Sequence, residues 1–277
     1  MNIKPPAYEN NINIITPDWP AANNIRAFCT TRNYPGNEKD SRPTRNAALS
    51  DNTYDNFNLA LHVQDDPLRV KANRRHLIKQ FNLPHEPVWL DQVHGCELID
   101  IANVQTLELT DKSSVTLKAD ASYSTKPNRI CTILTADCIP VLICNKQGTK
   151  VAAAHAGWRG LGNGVIETAV SSLNEAPDEI LVWLGPAIGA DVFEVGEEVR
   201  DFFVKKQPES IVAFKQNRAN HYLADMAKLA RLRLQRLGIE AVYGGEYCTY
   251  TDQNRFYSFR RDVKTGRQAS LIWFEQT

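Results

Sequence analysis

Residues 129–160 read RICTILTADCIPVLICNKQGTKVAAAHAGWRG. Three short apolar runs, 129–134, 140–144 and 151–154, are separated by the polar break Thr135-Ala-Asp-Cys-Ile-Pro140 and by the turn formers Gln147-Gly148. Runs of that length, bounded in that way, predict buried strands. From Asn163 the period changes, with Val165, Ile166, Ala169, Val170 and Leu173 on one helical face. Glu179 to Leu184 then returns as a strand that stops at Gly185-Pro186. Strands and helices alternate, so the fold class is α+β: one layered domain, 1–277, with mixed β-sheets flanked by helices.

The flanks agree with that class. Asp66-Pro67 is an N-cap followed by proline at the first helical position, which predicts a helix to about Phe81, closed by Leu83-Pro84. Strands are expected over 88–93 and 97–101. A second helix is expected over 197–206, with acids in its first turn and lysines in its last. A third, over 223–237, carries Leu223, Ala227, Ala230, Leu234 and Leu237 on one face and stops at Gly238. A strand over 269–274 closes the chain. Residues 33–56 are polar and rich in Asn, Asp, Pro and Ser, which predicts a surface loop, mobile and beside a cleft.

Composition narrows the function classes. The chain has 277 residues, 43% of them hydrophobic, and its 32 basic residues balance 32 acidic ones. A neutral chain has no general attraction to phosphate backbones or anionic lipid, so nucleic acid and membrane are not expected partners. No run approaches the roughly 20 apolar residues of a spanning helix, and the amino terminus lacks the features of a signal peptide, so a cytoplasmic location is expected. The six cysteines are not spaced as a secreted disulfide framework and are read as reduced thiols.

Three residues with metal-binding chemistry stand at strand-to-loop junctions. His155 ends an apolar run and precedes Gly157 and Gly160; Cys138 lies in the TADCIP break; His94 lies in Asp91-Gln-Val-His-Gly95. Any one of them fits an ordinary core or turn residue equally well. Two imidazoles and a thiolate suit zinc, and three protein ligands with an open fourth position form a catalytic arrangement. Their spacing alone matches no zinc signature.

Six blocks carry a resemblance: 91–95 (DQVHG), 135–140 (TADCIP), 155–160 (HAGWRG), 185–189 (GPAIG), 193–199 (FEVGEEV) and 258–267 (SFRRDVKTGR). In that order they closely resemble the signature blocks of the YfiH-like family. Its members have long been labelled polyphenol oxidases or laccase-domain proteins, and were later described as purine nucleoside phosphorylases with adenosine deaminase activity. Phe28-Cys-Thr-Thr-Arg32, Asn58-Leu59 with His62-Val63, and Ala119-Asp-Ala121 also look like family segments. The chain departs from the family in the polar insertion after Arg32, in Ala60 where glycine is usual and in Phe259 where tyrosine is usual.

The resemblance implies a zinc site formed by His94, Cys138 and His155, with copper occupancy compatible with the affinity order of divalent metals. It also implies a nucleoside and phosphate as partners; the oligomeric state is not legible. Arginine forks suit phosphate, and Arg32, Arg159, Arg260 and Arg261 all lie in matched blocks, where each fits a surface ion pair as well. Asn58 and Gln92 are further candidate substrate contacts, and Cys138, Asp137 and Arg159 are the candidate catalytic residues. Asp137 fits either a role in orienting water or a ligand, or a turn-holding role. Trp158, Phe256 and Tyr257 fit either base stacking or the core.

Two other enzyme classes remain. A Cys-His amide hydrolase acting on a cell-wall precursor would use Cys138 as nucleophile and His155 as base. A copper-dependent polyphenol oxidase is disfavoured, because the chain has six histidines and no His-x-His pair. A metal-binding protein without catalysis is a third alternative.

Overall fold

The computed structural model describes residues 14–33, 54, 56–104 and 117–276. The expectation of a mobile loop beside the cleft at 33–56 falls almost wholly outside them.

Two sheets form the centre. The first is antiparallel, with strands in the order Ile14–Ile15, Ile25–Thr30, Gln268–Phe274 and Cys131–Thr135. The second is six-stranded and mixed, in the order Val242–Gly244, Ile180–Leu184, Ile139–Asn145, Val151–Ala156, Ala121–Ser124 and Leu98–Asp100. Its two outermost pairings are parallel and the inner ones antiparallel.

Side-chain alternation explains why the central runs are apolar throughout. Along Ile139–Asn145, Leu142 and Cys144 join a core that also holds Cys131, Ile133 and Ile272 of the first sheet. Val141 and Ile143 point the other way, into a core with Val165, Ile166, Phe203 and Leu229 from the helices. A strand covered on both faces has no polar face to present, so it reads as an unbroken apolar run. A third core packs the outer face of the first sheet, including Phe28, Leu271 and Trp273, against Phe57, Leu77 and Phe81. The layers are therefore helix, sheet, sheet, helix, in agreement with the α+β expectation.

Local signals fare unevenly. The helix Pro67–Gln80 is capped as expected, with Leu68 N donating to Asp66 Oδ1 (2.9 Å). The second helix is Glu197–Lys206. The third begins later than its periodicity suggests. Leu223 belongs to the strand His221–Ala224 and pairs with Glu194 and Lys215, and the helix Met226–Arg236 starts only after Asp225 accepts from Lys228 N. Cross-strand pairing and a capping aspartate override the apolar repeat there. The helical stretch expected from Asn163 is two helices, Trp158–Asn163 and Val165–Ser171, broken by left-handed Gly164. The expected strand at 88–93 shortens to Leu90–Asp91, with Val88 making an isolated bridge to Cys131.

Candidate metal centre

His94, Cys138 and His155 meet at one point, their ligand atoms all within 4.8 Å of one another. Each arrives from a different element. His155 is the fifth residue of the strand Val151–Ala156, in register with Pro140 of the neighbouring strand. Cys138 lies on the short link that carries the chain from Cys131–Thr135 in the first sheet to Ile139–Asn145 in the second. His94 follows Leu90–Asp91 in a turn, with φ of 61°. Cys138 Sγ is 3.9 Å from His94 Nε2, and the two imidazole rings lie 4.7 Å apart, edge to face.

Asp120 holds this arrangement together. Its carboxylate accepts the backbone N–H groups of Val93 (3.2 Å), His94 (2.9 Å) and Gly95 (2.7 Å), which ties down the turn bearing His94. The same carboxylate accepts from His155 Nδ1 (2.8 Å), which fixes a proton on Nδ1 and leaves Nε2 as the nitrogen that would give up its proton to bind a metal. Asp120 was legible only as part of a resembling segment; a carboxylate that orients a histidine 35 positions away leaves no spacing signal.

Close packing explains two glycines of HAGWRG. A Cβ on Gly157 would lie 2.8 Å from His94 Cδ2 and 3.1 Å from Cys138 Sγ. On Gly160 it would meet the Gly95 carbonyl oxygen at 2.9 Å. The first glycine makes room for two donor side chains and the second for the backbone of the turn beside them.

The electrostatics follow from this packing. Burial disfavours the Cys138 thiolate, but the charge of His155 and hydrogen bonds from both histidines outweigh burial and bring the thiol down to about 6. Burial also disfavours the His155 imidazolium, yet the Cys138 thiolate and Asp120 carry it up to about 9. Asp120 sits below the usual carboxylate range, because the bonds from His155, Gly95 and His94 outweigh its own burial. A readily ionised thiolate and two convergent imidazoles are the donor set that zinc takes, so the residues present fit that metal.

A cavity of about 340 Å³ opens over the three donors, within the range of small-molecule sites, roughly 300–1,000 Å³. Trp158, Ile188, Phe193 and Met226 supply apolar lining; His62, Arg260 and Arg267 bring polar groups.

The other expected site residues divide. Gln92, Asp137 and Arg260 line the cavity. Gln92 exchanges two hydrogen bonds with the backbone of Leu134 (2.8 Å each). Asp137, at a φ of 91°, accepts from Thr249 Oγ1 and from Arg260 N (2.6 Å each), which ties three loops together. Arg260 also donates to the Glu194 carbonyl (2.8 Å).

Arg32, Asn58, Arg159 and Arg261 are not among the lining residues. Arg32 bonds the Gln253 carbonyl and lies over the Tyr257 ring, and exposed Arg159 stacks 4.2 Å over Trp158. Arg261 spends its guanidinium on the carbonyls of Thr249, Tyr250 and Phe256 and on Asp262. Asn58 is fully buried; its amide bonds Asp65 and Ala60, and its Oδ1 accepts from Arg267 N (2.9 Å). Phe256 and Tyr257 have no exposed surface, so of the three aromatics considered for stacking only Trp158 faces the cavity.

Sequence reasoning passed over His62 and Arg267 as site residues. Both lie in resembling segments, the only sequence signal that pointed to them. Burial, and then the charge of Arg267, push the His62 imidazole below its ordinary value.

A family model described as multi-copper polyphenol oxidoreductase laccase matches residues 41–275. A protein of Pseudomonas aeruginosa named purine nucleoside phosphorylase is 48% identical over 262 residues, covering 94% of this chain and 98% of that protein. The purine nucleoside phosphorylase YfiH of Escherichia coli is 46% identical over 260 residues, with the same coverage. Among solved structures, a Neisseria meningitidis protein of family DUF152 superposes with a TM-score of 0.82 at 40% identity, over 95% of this chain and all of that one.

Proposed function

This chain belongs to the multi-copper polyphenol oxidoreductase laccase family, and from that premise we propose that it is a zinc-dependent purine nucleoside phosphorylase. It cleaves adenosine and inosine with phosphate, has methylthioadenosine as a further candidate substrate, and also deaminates adenosine. The observation that carries this reading is the convergence of His94, Cys138 and His155 beneath a cavity that combines apolar lining with arginines. The names of the Pseudomonas aeruginosa and Escherichia coli relatives support the choice of reaction.

Phosphorolysis forms a bond from a phosphate oxygen to C1′ of the ribose as the C1′–N9 bond breaks. The bonding pair leaves with the purine, which takes up one proton to depart as the neutral base. The apolar lining suits the flat face of a purine and excludes water that would compete with phosphate. Asp137 fixes the backbone of Arg260 and so directs the loop bearing that guanidinium to the cavity. Asp120 keeps the His155 ring in one orientation and one tautomer. When bound by the three donors, zinc supplies Lewis acidity and lowers the pKa of water, which is the chemistry that deamination of adenosine to inosine and ammonia draws on.

The Asp120–His155–Cys138 chain favours a second reading, because a thiolate beside an imidazolium oriented by a carboxylate is also the apparatus of a cysteine hydrolase. Metal dependence separates the two. Purified protein of measured metal content is incubated with adenosine and inosine, with and without phosphate, before and after chelation. The proposed function gives free base only with phosphate and loses it on chelation. Amide hydrolysis that survives chelation would replace it with the thiol mechanism. Phenol oxidation stays disfavoured, since one cluster among the described residues does not make a multicopper centre.

A further inference from the structure

We propose that Arg267 anchors an oxyanion in this cavity, phosphate in the phosphorolysis reading on which the proposal rests. Arg267 lines the cavity and is partly buried. Its Nη1 is spent on the carbonyls of Thr265 and Gly266 (2.9 Å each). Among the described residues, Nε and Nη2 have no acceptor, and no carboxylate pairs with the group. Besides the phenol of Tyr54, the acidic groups near enough to act on it are Cys138 and Asp137. Both are committed, the thiolate to the metal centre and the Asp137 oxygens to Thr249 and Arg260.

The guanidinium has two carbonyls at Nη1 and the Phe259 ring 5.9 Å away but, among the described residues, no anion committed to it, so its positive charge is left to act on the cavity it lines. A guanidinium with its fork unspent is built for a tetrahedral oxyanion, whose oxygens it can take two at a time. Arg260 and the imidazole of His62, which line the same cavity, offer further donors. Arg32, Arg159 and Arg261 do not line the cavity, and the Arg261 guanidinium is in addition taken up by three carbonyls and Asp262.

The chain invests in placing Arg267. Its backbone N–H docks on Asn58 Oδ1, and Leu59 N donates back to its carbonyl. The preceding Gly266 permits this approach, since a Cβ there would lie 2.7 Å from Tyr257 Cζ and 2.9 Å from Asn58 Cβ. A loop docked against a buried asparagine holds its arginine at a fixed place, which is what an anchoring group requires.

The test uses the metal-loaded protein and inorganic phosphate. Arg267→Gln should raise the KM for phosphate about 10- to 100-fold, the loss of a charge-assisted contact, and change the KM for nucleoside much less. Arg267→Lys, which keeps the charge but not the fork, should fall between. Calorimetric titration with phosphate, without nucleoside, should show binding that weakens in the same order. Circular dichroism checks that each variant folds, and Arg267→Lys carries the test if Arg267→Gln does not. Turnover with an unchanged phosphate KM in the folded variants would overturn the anchor and leave the phosphorylase reading standing. If no nucleoside is cleaved but phosphate still binds in an Arg267-dependent way, the anchor stands and the phosphorylase reading fails. Phosphate binding lost in Arg159→Gln and kept in Arg267→Gln would move the site elsewhere and refute this assignment.

Discussion

Removing the Asp120 carboxylate should do two measurable kinds of damage. In Asp120→Ala, the backbone N–H groups of Val93, His94 and Gly95 and the His155 Nδ1–H lose their common acceptor. Val93 and His94 are exposed enough for water to take over part of their bonding. Gly95 is less open and His155 is only 4% exposed, so two donors bear most of the penalty. At about 1–3 kcal/mol for each buried unsatisfied donor, the total for the two is about 2–6 kcal/mol. For a chain of 277 residues that lowers the melting temperature by roughly 3–10 °C. The free His155 ring should also weaken metal binding by about 10- to 100-fold, the usual effect of losing a carboxylate behind a ligating histidine. Asp120→Asn keeps one acceptor oxygen but turns an NH₂ toward the remaining donors, so it should lose about half as much. Melting in excess chelator reads the structural loss, and competitive titration with a metal indicator reads the affinity. An Asp120→Ala protein that melts within about 2 °C of the parent and binds zinc within threefold would refute the argument.

Three further outcomes follow from the same geometry. In metal-free protein, iodoacetamide should alkylate Cys138 with a rate that falls as pH drops through about 6, because the reactive thiolate persists down to its depressed pKa. Cys29, Cys131 and Cys144, pushed up to about 12 by burial, should stay unmodified at neutral pH, and zinc should protect Cys138; peptide mass mapping reads both. Gly157→Ala should lower zinc affinity while leaving the far-ultraviolet spectrum intact, since its Cβ meets movable side chains, whereas Gly160→Ala meets backbone oxygen and should cost more in melting temperature than in metal. His155→Ala should abolish zinc binding together with phosphorolysis and deamination, and chelation of the parent protein should reproduce that loss; activity that persists without metal would show that neither reaction uses it.

What was legible in the sequence is what depends on neighbours along the chain. The apolar runs around 129–154 mark strands buried on both faces, Asp66-Pro67 marks a helix start, and the resembling blocks bring His94, Cys138 and His155 to notice as a set. Their convergence, however, depends on the link at 136–138 crossing from one sheet to the other, and nothing periodic records that crossing. The same limit governs the arginines. Arg260 and Arg261 are adjacent in one block, yet one lines the cavity and the other is consumed by three backbone carbonyls and Asp262. Likewise Asn58, in sequence a candidate for substrate, is in the fold the buried support of Arg267. Residue type determines what chemistry a side chain can do, and the alternation of strands and helices determines which layers exist. Direction, burial and partner are set by contacts between segments far apart in the chain, such as Asp120 with His155 or Gly160 with Gly95, so only the tertiary structure decided which of the candidate groups share a site.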